Sequence, residues 1–528
     1  MENNLAQTQS VTVVALAIFA LLMVIIGIVS ARKAKTIDGF LLGGRNIGAW
    51  VSAFAYGTSY FSAVIFVGYA GQHGWNIGLG SIWIGVGNAV LGCFLAWQLL
   101  AKRTRTMTHN LSSKTMPEFF ESRYDSSAIK IFSAIIIFVF LVPYSAAVYK
   151  GLGSMFTAIF PNVSTNVWML VIAVLTAVYL ALGGYVATAY TDFVQGIIMI
   201  VGVFAMVIAI VNNGAVGGFG SFMENLRNIP DNGDGITGAQ ITSFFGGSSF
   251  KFLCVNIMLT SFGTWGLPQM VSKYYAIKDI KSIKQAKYIS TAFALVIGCG
   301  AYFIGSLSRL VLNNKLPEGG VDSVIPATLL TALGDANIVT TIILAVILIL
   351  LLSASMSTLS SIVLSSSSAI SVDLIPMVKK NYKEENQVTI TRVLCLVFVG
   401  LSYIFATTNI TIIVNIMSFS WGIVSGCFIG PYIWGIYSKK VTKAGAWAGM
   451  LCGFFTVVIA TIILTCINMD AGSVGEAFKL AAAKAPEMGC GAMVVSLIVV
   501  PVVSAFTSKF DDKFIKKVYY LLKTCHKK

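Results

Sequence analysis

Hydroxyl side chains are concentrated in one apolar segment near the middle of the chain, where residues 353–361 read Ser-Ala-Ser-Met-Ser-Thr-Leu-Ser-Ser. A hydroxyl in hydrocarbon costs free energy unless it finds a partner. Serine can bond to its own helix or let a neighbouring helix pack closely, without any ligand. Alternatively, Ser357 and Thr358 follow Ala354 by three and four residues, which places two hydroxyls on one helical face beside a carbonyl. Such an all-oxygen set suits a small hard cation, but the spacing alone favours packing.

Two other apolar segments contain residues that interrupt helices. Residues 55–62 read Ala-Tyr-Gly-Thr-Ser-Tyr-Phe-Ser, and residues 263–268 read Gly-Thr-Trp-Gly-Leu-Pro. Glycine inside a helix costs roughly 1 kcal/mol relative to alanine, and proline removes a helical hydrogen bond. Both segments are therefore predicted to unwind locally and to expose carbonyl oxygens. Glycine and proline are also common in ordinary membrane helices, so each interruption alone is weak evidence.

The helices that must position these groups are predicted to span a membrane. The chain has 528 residues, of which 56% are hydrophobic and 11% charged, and its mean hydropathy is +0.83. About thirteen stretches are long enough to cross a bilayer of about 30 Å. They are 10–31, 47–71, 77–101, 128–149, 165–182, 190–212, 248–272, 289–313, 337–367, 387–407, 410–437, 447–466 and 490–507. The first ends at two basic residues instead of a cleavage site, so it is predicted to be a retained helix.

The two interruptions fall in the second and seventh of these spans, which lie five spans apart. Paired interruptions at corresponding positions of two five-helix halves are typical of inverted-repeat transporters. The sequence therefore favours a transporter over a channel or a membrane-bound sensor.

Basic residues predict the orientation of the chain. If the N-terminus lies outside, segments 32–45, 102–130, 273–287, 379–392, 439–443 and 509–528 are cytoplasmic, and they hold 29 of the 36 Lys and Arg residues. This asymmetry follows the positive-inside rule. The net charge of +15 is then explained by topology and anionic lipid, not by nucleic acid. We expect a multi-pass protein of the plasma (cell inner) membrane with a cytoplasmic C-terminus.

No catalytic constellation is present in the sequence. The chain has three histidines, its nine cysteines show no CxxC spacing, and no GxSxG, HExxH or P-loop pattern occurs. An enzyme is not expected.

Several motifs resemble the sodium:solute symporter family. They are residues 38–45 (DGFLLGGR), 183–196 (GGYVATAYTDFVQG), 354–358 (ASMST), 430–431 (GP) and 442–446 (TKAGA). They follow the order of the family and span about residues 10–466. The resemblance implies an all-α LeuT-like fold with ten core helices in two inverted halves. It divides the chain into an N-terminal helix (1–46), a first repeat (47–246), a second repeat (247–443) and two C-terminal helices with a basic tail (444–528).

The resemblance also implies a sodium site. Its ligands would be the carbonyls of Thr58, Phe61 and Ala354 and the hydroxyls of Ser357 and Thr358. Because the helix at residues 58–61 is predicted to be interrupted and the motifs follow the order of the family, we predict that these two hydroxyls bind sodium.

A second sodium site occurs in some members of the family. Here it would use Asp192 with Ser360 and Ser361. A carboxylate inside a membrane costs free energy, so its presence suggests a functional role. Asp192 also fits as a residue near a helix N-terminus, where the macrodipole favours it.

The substrate is predicted less sharply. Sugar-transporting members have polar side chains after the break in the first core helix, where this chain has Tyr60, Val64 and Ile65. Proline-transporting members carry an aspartate in the position of Tyr60, which argues against proline. The motif around residues 262–279 looks most like the pantothenate-transporting branch. The predicted pocket is lined by Tyr60, Ile65, Tyr144, Thr264, Trp265 and Trp421, although helix packing would explain the same residues.

The sequence thus predicts a sodium-coupled symporter that imports a small organic solute by alternating access. A carboxylate or zwitterion, such as pantothenate or an amino acid, is the preferred class. A sodium-coupled sugar or other neutral-solute symporter is the alternative, and an ion channel or sensor is the alternative of another class.

Overall fold

The computed structural model describes residues 2–31, 36–333, 337–378, 384–408 and 411–524. The α-helices of at least eight residues are, in chain order, α1 (Glu2–Ala31), α2 (Ala49–Tyr60), α3 (Ala70–Ile77), α4 (Lys102–Asn110), α5 (Met116–Tyr124), α6 (Ser127–Ile159), α7 (Thr165–Val211), α8 (Phe250–Gly266), α9 (Pro268–Ala276), α10 (Ile280–Val311), α11 (Val324–Leu333), α12 (Ile338–Ser368), α13 (Glu384–Thr407), α14 (Ile413–Tyr437), α15 (Lys443–Ile467), α16 (Val474–Ala482), α17 (Ala485–Ala505) and α18 (Asp512–Thr524). Short 3₁₀ and π-helical turns join several of them, including a π-helical turn at Val64–Tyr69. Within the described ranges, the single strand-like pairing is a parallel bridge between Ile47 and Ile277.

Two helices are broken where the sequence predicts interruptions. Phe61, directly after α2, has an extended backbone (φ −104°, ψ 118°), and the helical path resumes at Val64. Leu267 separates α8 from α9 with an extended backbone (φ −81°, ψ 124°), and Pro268 is the first residue of α9. The chain bends there by 49°. Proline restricts the preceding residue to extended conformations, which explains the position of the second break.

One run of helix contains two of the predicted spans. Helix α7 covers both 165–182 and 190–212, and it is kinked at Gly184, where φ is 54° and ψ is −149°. A left-handed φ is readily adopted by glycine alone. A Cβ at this position would also come within 2.7 Å of the carbonyl oxygen of Phe40. Gly184 therefore allows the kink and the close packing at once.

The number of membrane-spanning helices differs from the prediction. Among the described residues, ten helices are long and apolar enough to cross a bilayer, or eleven if the bent pair α8–α9 is one span. The predicted thirteen is not confirmed. The segment Thr165–Ala181 is too short for this count, and the break leaves α2 with 12 residues.

The serine-rich helix lies in the interior of the molecule. In α12, every residue from Leu350 to Leu364 is buried. Helix α1, by contrast, exposes apolar side chains such as Val13, Ile18 and Val29, as a lipid-facing helix does. The hydroxyl run is thus enclosed by protein, not by lipid.

The four-part division of the chain and its orientation remain predictions. Residues 32–35, 379–383 and 525–528, which belong to the predicted basic segments, lie outside the described residues.

Candidate ion-binding and substrate site

Helix α12 meets the break after α2 through two hydroxyls. Ser357 Oγ lies 2.9 Å from the carbonyl oxygen of Thr58 and 3.0 Å from that of Ala354. Thr358 Oγ1 lies 3.3 and 3.1 Å from the same two oxygens. All four residues are fully buried. The structure therefore brings together four of the five oxygens of the predicted sodium site, which we call the oxygen cluster.

The spacing of the oxygen cluster suits a small cation. Oxygens that share a hard cation at about 2.3–2.6 Å lie about 3.3–3.7 Å apart in octahedral geometry. The observed separations of 2.9–3.3 Å are slightly shorter, since each hydroxyl donates its one proton toward these carbonyls. A cation would require the hydroxyls to rotate their protons away and the oxygens to separate by a few tenths of an ångström.

Phe61 contributes the fifth predicted ligand, its carbonyl oxygen, and lies at the break itself. Its N–H donates to the carbonyl of Gly57 at 3.3 Å. Its carbonyl oxygen accepts no hydrogen bond within the described part of the chain. An ion could use this oxygen without displacing a protein donor, and its role remains a prediction.

Other hydroxyls of the run hold the broken helix against α12. Ser355 Oγ accepts a hydrogen bond from the N–H of Ala63, just past the break, at 3.0 Å. The hydroxyls of Ser59 and Ser361 are 2.7 Å apart and share a hydrogen bond. The role of Ser355 was missed by sequence reasoning, because its partner lies 292 positions away.

Two of the three residues of the predicted second sodium site contact an ammonium group. Asp192 is fully buried, and its Oδ2 lies 3.8 Å from Lys273 Nζ. Lys273 Nζ also donates to Ser361 Oγ at 3.0 Å. Ser360 instead donates to the carbonyl of Ser357 on its own helix, at 2.9 Å. The structure thus brings Asp192 and Ser361 together and leaves Ser360 apart, and the second sodium site stays a prediction.

Lys273 lies in a different environment from the one predicted for it. The sequence assigns it to the cytoplasmic basic segment 273–287, but the structure buries it at the core end of that segment. The signal in the sequence was its position, since Lys273 follows the helix-breaking Pro268 by only five residues.

Three of the six predicted pocket residues form an aromatic cluster. The ring centroid of Trp421 lies 6.2 Å from that of Tyr60 and 5.6 Å from that of Tyr144. The hydroxyl of Tyr60 donates to the carbonyl of Thr260 at 2.6 Å. The indole N–H of Trp421 is buried and makes no hydrogen bond within the described part of the chain. A buried donor without an acceptor is available to a bound solute.

The other three predicted pocket residues are placed differently. Trp265 donates its indole N–H to the carbonyl of Leu91 at 3.1 Å, outside the aromatic cluster. Thr264 donates to the carbonyl of Ser261 on its own helix, at 2.8 Å. Ile65 is buried just past the break of the first broken helix. Their part in a pocket remains a prediction.

Two cavities differ in size and in their lining residues. One of about 580 Å³ has polar walls that include Lys150, Asn166 and Asp322. The other, of about 30 Å³, is lined by Lys273 and Ser361 among others. The buried aromatic cluster and the oxygen cluster are not part of either lining.

Known proteins similar to this chain are membrane transporters. Residues 40–453 match the model of the Sodium:solute symporter family. The High-affinity proline transporter PutP of Bacillus subtilis (strain 168) is 28% identical over 442 residues, which are 83% of this chain and 89% of that protein. The Sodium/proline symporter of Escherichia coli (strain K12) is 27% identical over 444 residues, 83% of this chain and 85% of that protein.

A solved structure shares the fold. It is the substrate-bound outward-open state of a Na+-coupled sialic acid symporter, with a TM-score of 0.71 and 18% identity over 94% of this chain and 98% of that one. This likeness confirms the predicted all-helical LeuT-like fold.

Proposed function

The chain belongs to the sodium:solute symporter family, and from that premise we propose that it imports a small zwitterionic solute of the amino-acid type together with sodium. It is a multi-pass membrane transporter and not an enzyme, and sodium is its coupling ion. The site of that ion and the identity of the solute are the parts that we propose.

The observation that carries the sodium site is the oxygen cluster between two helices. Its oxygens come from Thr58 on a helix that breaks and from Ala354, Ser357 and Thr358 on a helix that does not. An ion bound between them would stabilise one relative position of the two helices. All of these ligands are neutral, so the charge of the ion stays uncompensated, and we expect modest affinity and easy release.

One sodium ion per cycle is enough to drive accumulation. A charge that moves inward through about 100 mV gains about 2.3 kcal/mol. A tenfold sodium gradient adds about 1.4 kcal/mol. Together these support roughly 400- to 500-fold accumulation of a neutral or zwitterionic solute.

The relatives and the aromatic cluster support an amino-acid-type substrate. The two relatives named above are proline transporters, so proline is the first compound to test. Tyr60 stands where proline-transporting members carry an aspartate, and its hydroxyl is already bonded to Thr260. The buried Trp421 N–H, which has no acceptor among the described residues, is a donor for a carboxylate. Pantothenate, which has the same carboxylate, is the second compound to test.

Uptake by proteoliposomes tests this function. Radiolabelled proline, pantothenate, a neutral sugar and sialic acid would each be offered with an inward sodium gradient, with equal sodium on both sides, and with potassium only. We expect gradient-driven accumulation of proline or another amino acid, and none in potassium. Sodium-independent accumulation by correctly folded protein would contradict sodium symport. Accumulation of the sugar alone would contradict the proposed substrate class.

A further inference from the structure

A buried ion pair lies next to the oxygen cluster. Lys273 on α9 and Asp192 on α7 have side-chain exposures of 1% and 0%, and the Lys273 Nζ–Asp192 Oδ2 distance is 3.8 Å. The ammonium also donates to Ser361 on α12 at 3.0 Å and lies 5.0 Å from the centre of the Tyr185 ring. Two helices thus contribute groups to the ammonium on α9: α7 a carboxylate and an aromatic face, and α12 a hydroxyl.

The carboxylate of Asp192 depends on that cation. Neither of its oxygens makes a hydrogen bond within the described part of the chain. An ionised carboxylate in a protein interior is stable only if a charge or several donors compensate it. In the described residues, Lys273 is the charge paired with it. Asp192 therefore has the surroundings of a cation site, in which the cation is the ammonium group of Lys273.

This ion pair is connected to the oxygen cluster by contacts between hydroxyls. Ser361 lies one helical turn after Ser357 and on the same face of α12. Its hydroxyl contacts that of Ser59 at 2.7 Å, and Ser59 follows Thr58 in the chain. The ammonium of Lys273 is thus two contacts away from the helix that supplies the carbonyl of Thr58.

We propose that the Lys273 ammonium serves as a built-in cation for Asp192, so that the transporter binds one sodium ion per solute at the oxygen cluster and none at Asp192. The inference rests on the proposed function and adds its stoichiometry. A tethered ammonium stays with the protein through the cycle and is not released to the cytoplasm. It therefore neutralises the carboxylate without adding a second coupled ion.

Removal of the amine should create a second sodium site. The cavity of about 30 Å³ beside Lys273 and Ser361 extends to Lys114 and Thr115. Loss of the lysine side chain would enlarge this cavity and leave an uncompensated carboxylate beside the hydroxyl of Ser361. A carboxylate and a hydroxyl oxygen in a cavity wide enough for water are suitable ligands for sodium.

The ratio of charge to solute tests this proposal in proteoliposomes. The membrane potential at which a fixed sodium and solute gradient produces no net solute flux gives the number of charges moved per solute. We expect one charge and a Hill coefficient for sodium near 1 for the wild type. For Lys273→Ala we expect two charges and a Hill coefficient above 1. Lys273→Arg, which keeps the positive charge, and the double variant Lys273→Ala/Asp192→Asn should both return to one charge.

The wild-type measurement decides the proposal even if Lys273→Ala does not fold. Two charges per solute in the wild type would overturn the built-in cation and leave sodium symport intact. A single charge in a folded, active Lys273→Ala would also overturn it. If no solute is accumulated by a sodium gradient in any protein, the proposed function fails instead.

Discussion

The hydroxyls of Ser357 and Thr358 have partners whether or not an ion is present. In the described arrangement they donate to the carbonyls of Thr58 and Ala354, so neither of these two buried hydroxyls is left unsatisfied. With an ion bound, the same oxygens would face the cation. Because an unsatisfied buried polar group costs about 1–3 kcal/mol, this exchange of partners keeps the ion-free site stable and permits release.

Replacement of either hydroxyl should weaken the sodium dependence of transport. We expect Ser357→Ala and Thr358→Val each to raise the sodium concentration for half-maximal uptake by about tenfold or more, since a lost ligand costs about 1.4 kcal/mol or more. The measurement is the initial uptake rate as a function of sodium concentration at saturating solute.

Ser368→Ala is the matched control for these variants. Ser368 is on the same helix, and its hydroxyl donates to the carbonyl of Ser365 at 2.9 Å. Its sodium dependence should equal that of the wild type. Unchanged sodium dependence in both Ser357→Ala and Thr358→Val would assign these hydroxyls to packing.

Ser355 should stabilise the broken helix instead of binding the ion. Ser355→Ala would leave the buried N–H of Ala63 without its partner, and we expect a loss of about 1–3 kcal/mol of stability. Ser353 is equally buried, and its hydroxyl makes no hydrogen bond within the described residues, so Ser353→Ala should lose little. Thermal unfolding of the purified proteins in detergent checks this difference. Equal melting temperatures for the two variants would show that the Ser355 bond does not matter.

At the residue scale, the sequence predicts features that depend on the spacing of residues within one helix. The spacing of Ser357 and Thr358 after Ala354 is visible in the chain, and the structure places both hydroxyls against one carbonyl of a distant helix, that of Thr58. The partners of Ser355 and Lys273 are not visible, because they lie in other helices far away in sequence. Residue type alone therefore assigned Lys273 to the cytoplasmic surface.

At the element scale, the two broken helices are tied together at one end. The N–H of Ile47, before α2, donates to the carbonyl of Ala276 at 3.2 Å, and the N–H of Lys278 donates to the carbonyl of Ile47 at 2.9 Å. These bonds join the start of the first broken helix to the end of the second. We therefore expect α2 and α9 to move as one unit during transport.

Closure of the second break should slow transport without unfolding the protein. Pro268→Ala restores a backbone N–H and releases Leu267 from its extended restriction, so that α8 and α9 can form one straight helix. We expect the maximal uptake rate to fall by about tenfold, equivalent to about 1.4 kcal/mol in the barrier. Initial rates at saturating sodium and solute measure this effect.

Pro501→Ala is the control for the effect of proline itself. Pro501 lies inside α17, whose helix continues through it. Its replacement should leave the maximal rate unchanged. Equal rates for Pro268→Ala and the wild type would mean that the break is not needed for transport.

The positions of the two breaks could be predicted, because glycine and proline act on their immediate neighbours. The kink in α7 could not be located in the same way. Gly183 and Gly184 are adjacent in the sequence, and the structure gives a left-handed φ to Gly184, which also packs against Phe40 in a distant segment. The number of spans was also overestimated, because hydropathy does not show how far a break shortens a helix.

At the scale of the whole molecule, composition and charge were sufficient to predict a helical membrane protein, and the paired helix interruptions with the family motifs predicted a transporter. In a membrane, a long apolar stretch can form all of its backbone hydrogen bonds only in a helix or in a closed barrel. The glycine and proline interruptions of these stretches are those of helices. The family match over residues 40–453 and the shared fold agree with that prediction. The solute could not be predicted with equal precision, since the proposed pocket depends on how a few buried aromatic side chains from distant helices meet.

The most direct test of sodium symport is reciprocal coupling between solute and sodium. Coupling free energy is symmetric, so an inward solute gradient must drive sodium inward just as sodium drives solute. In proteoliposomes without a sodium gradient, we predict that inward proline, or the amino acid identified by the uptake assay, drives uptake of ²²Na⁺, and that Ser357→Ala reduces this uptake at low sodium concentration. Sodium flux that does not depend on the solute, or solute flux that carries no sodium, would contradict sodium symport.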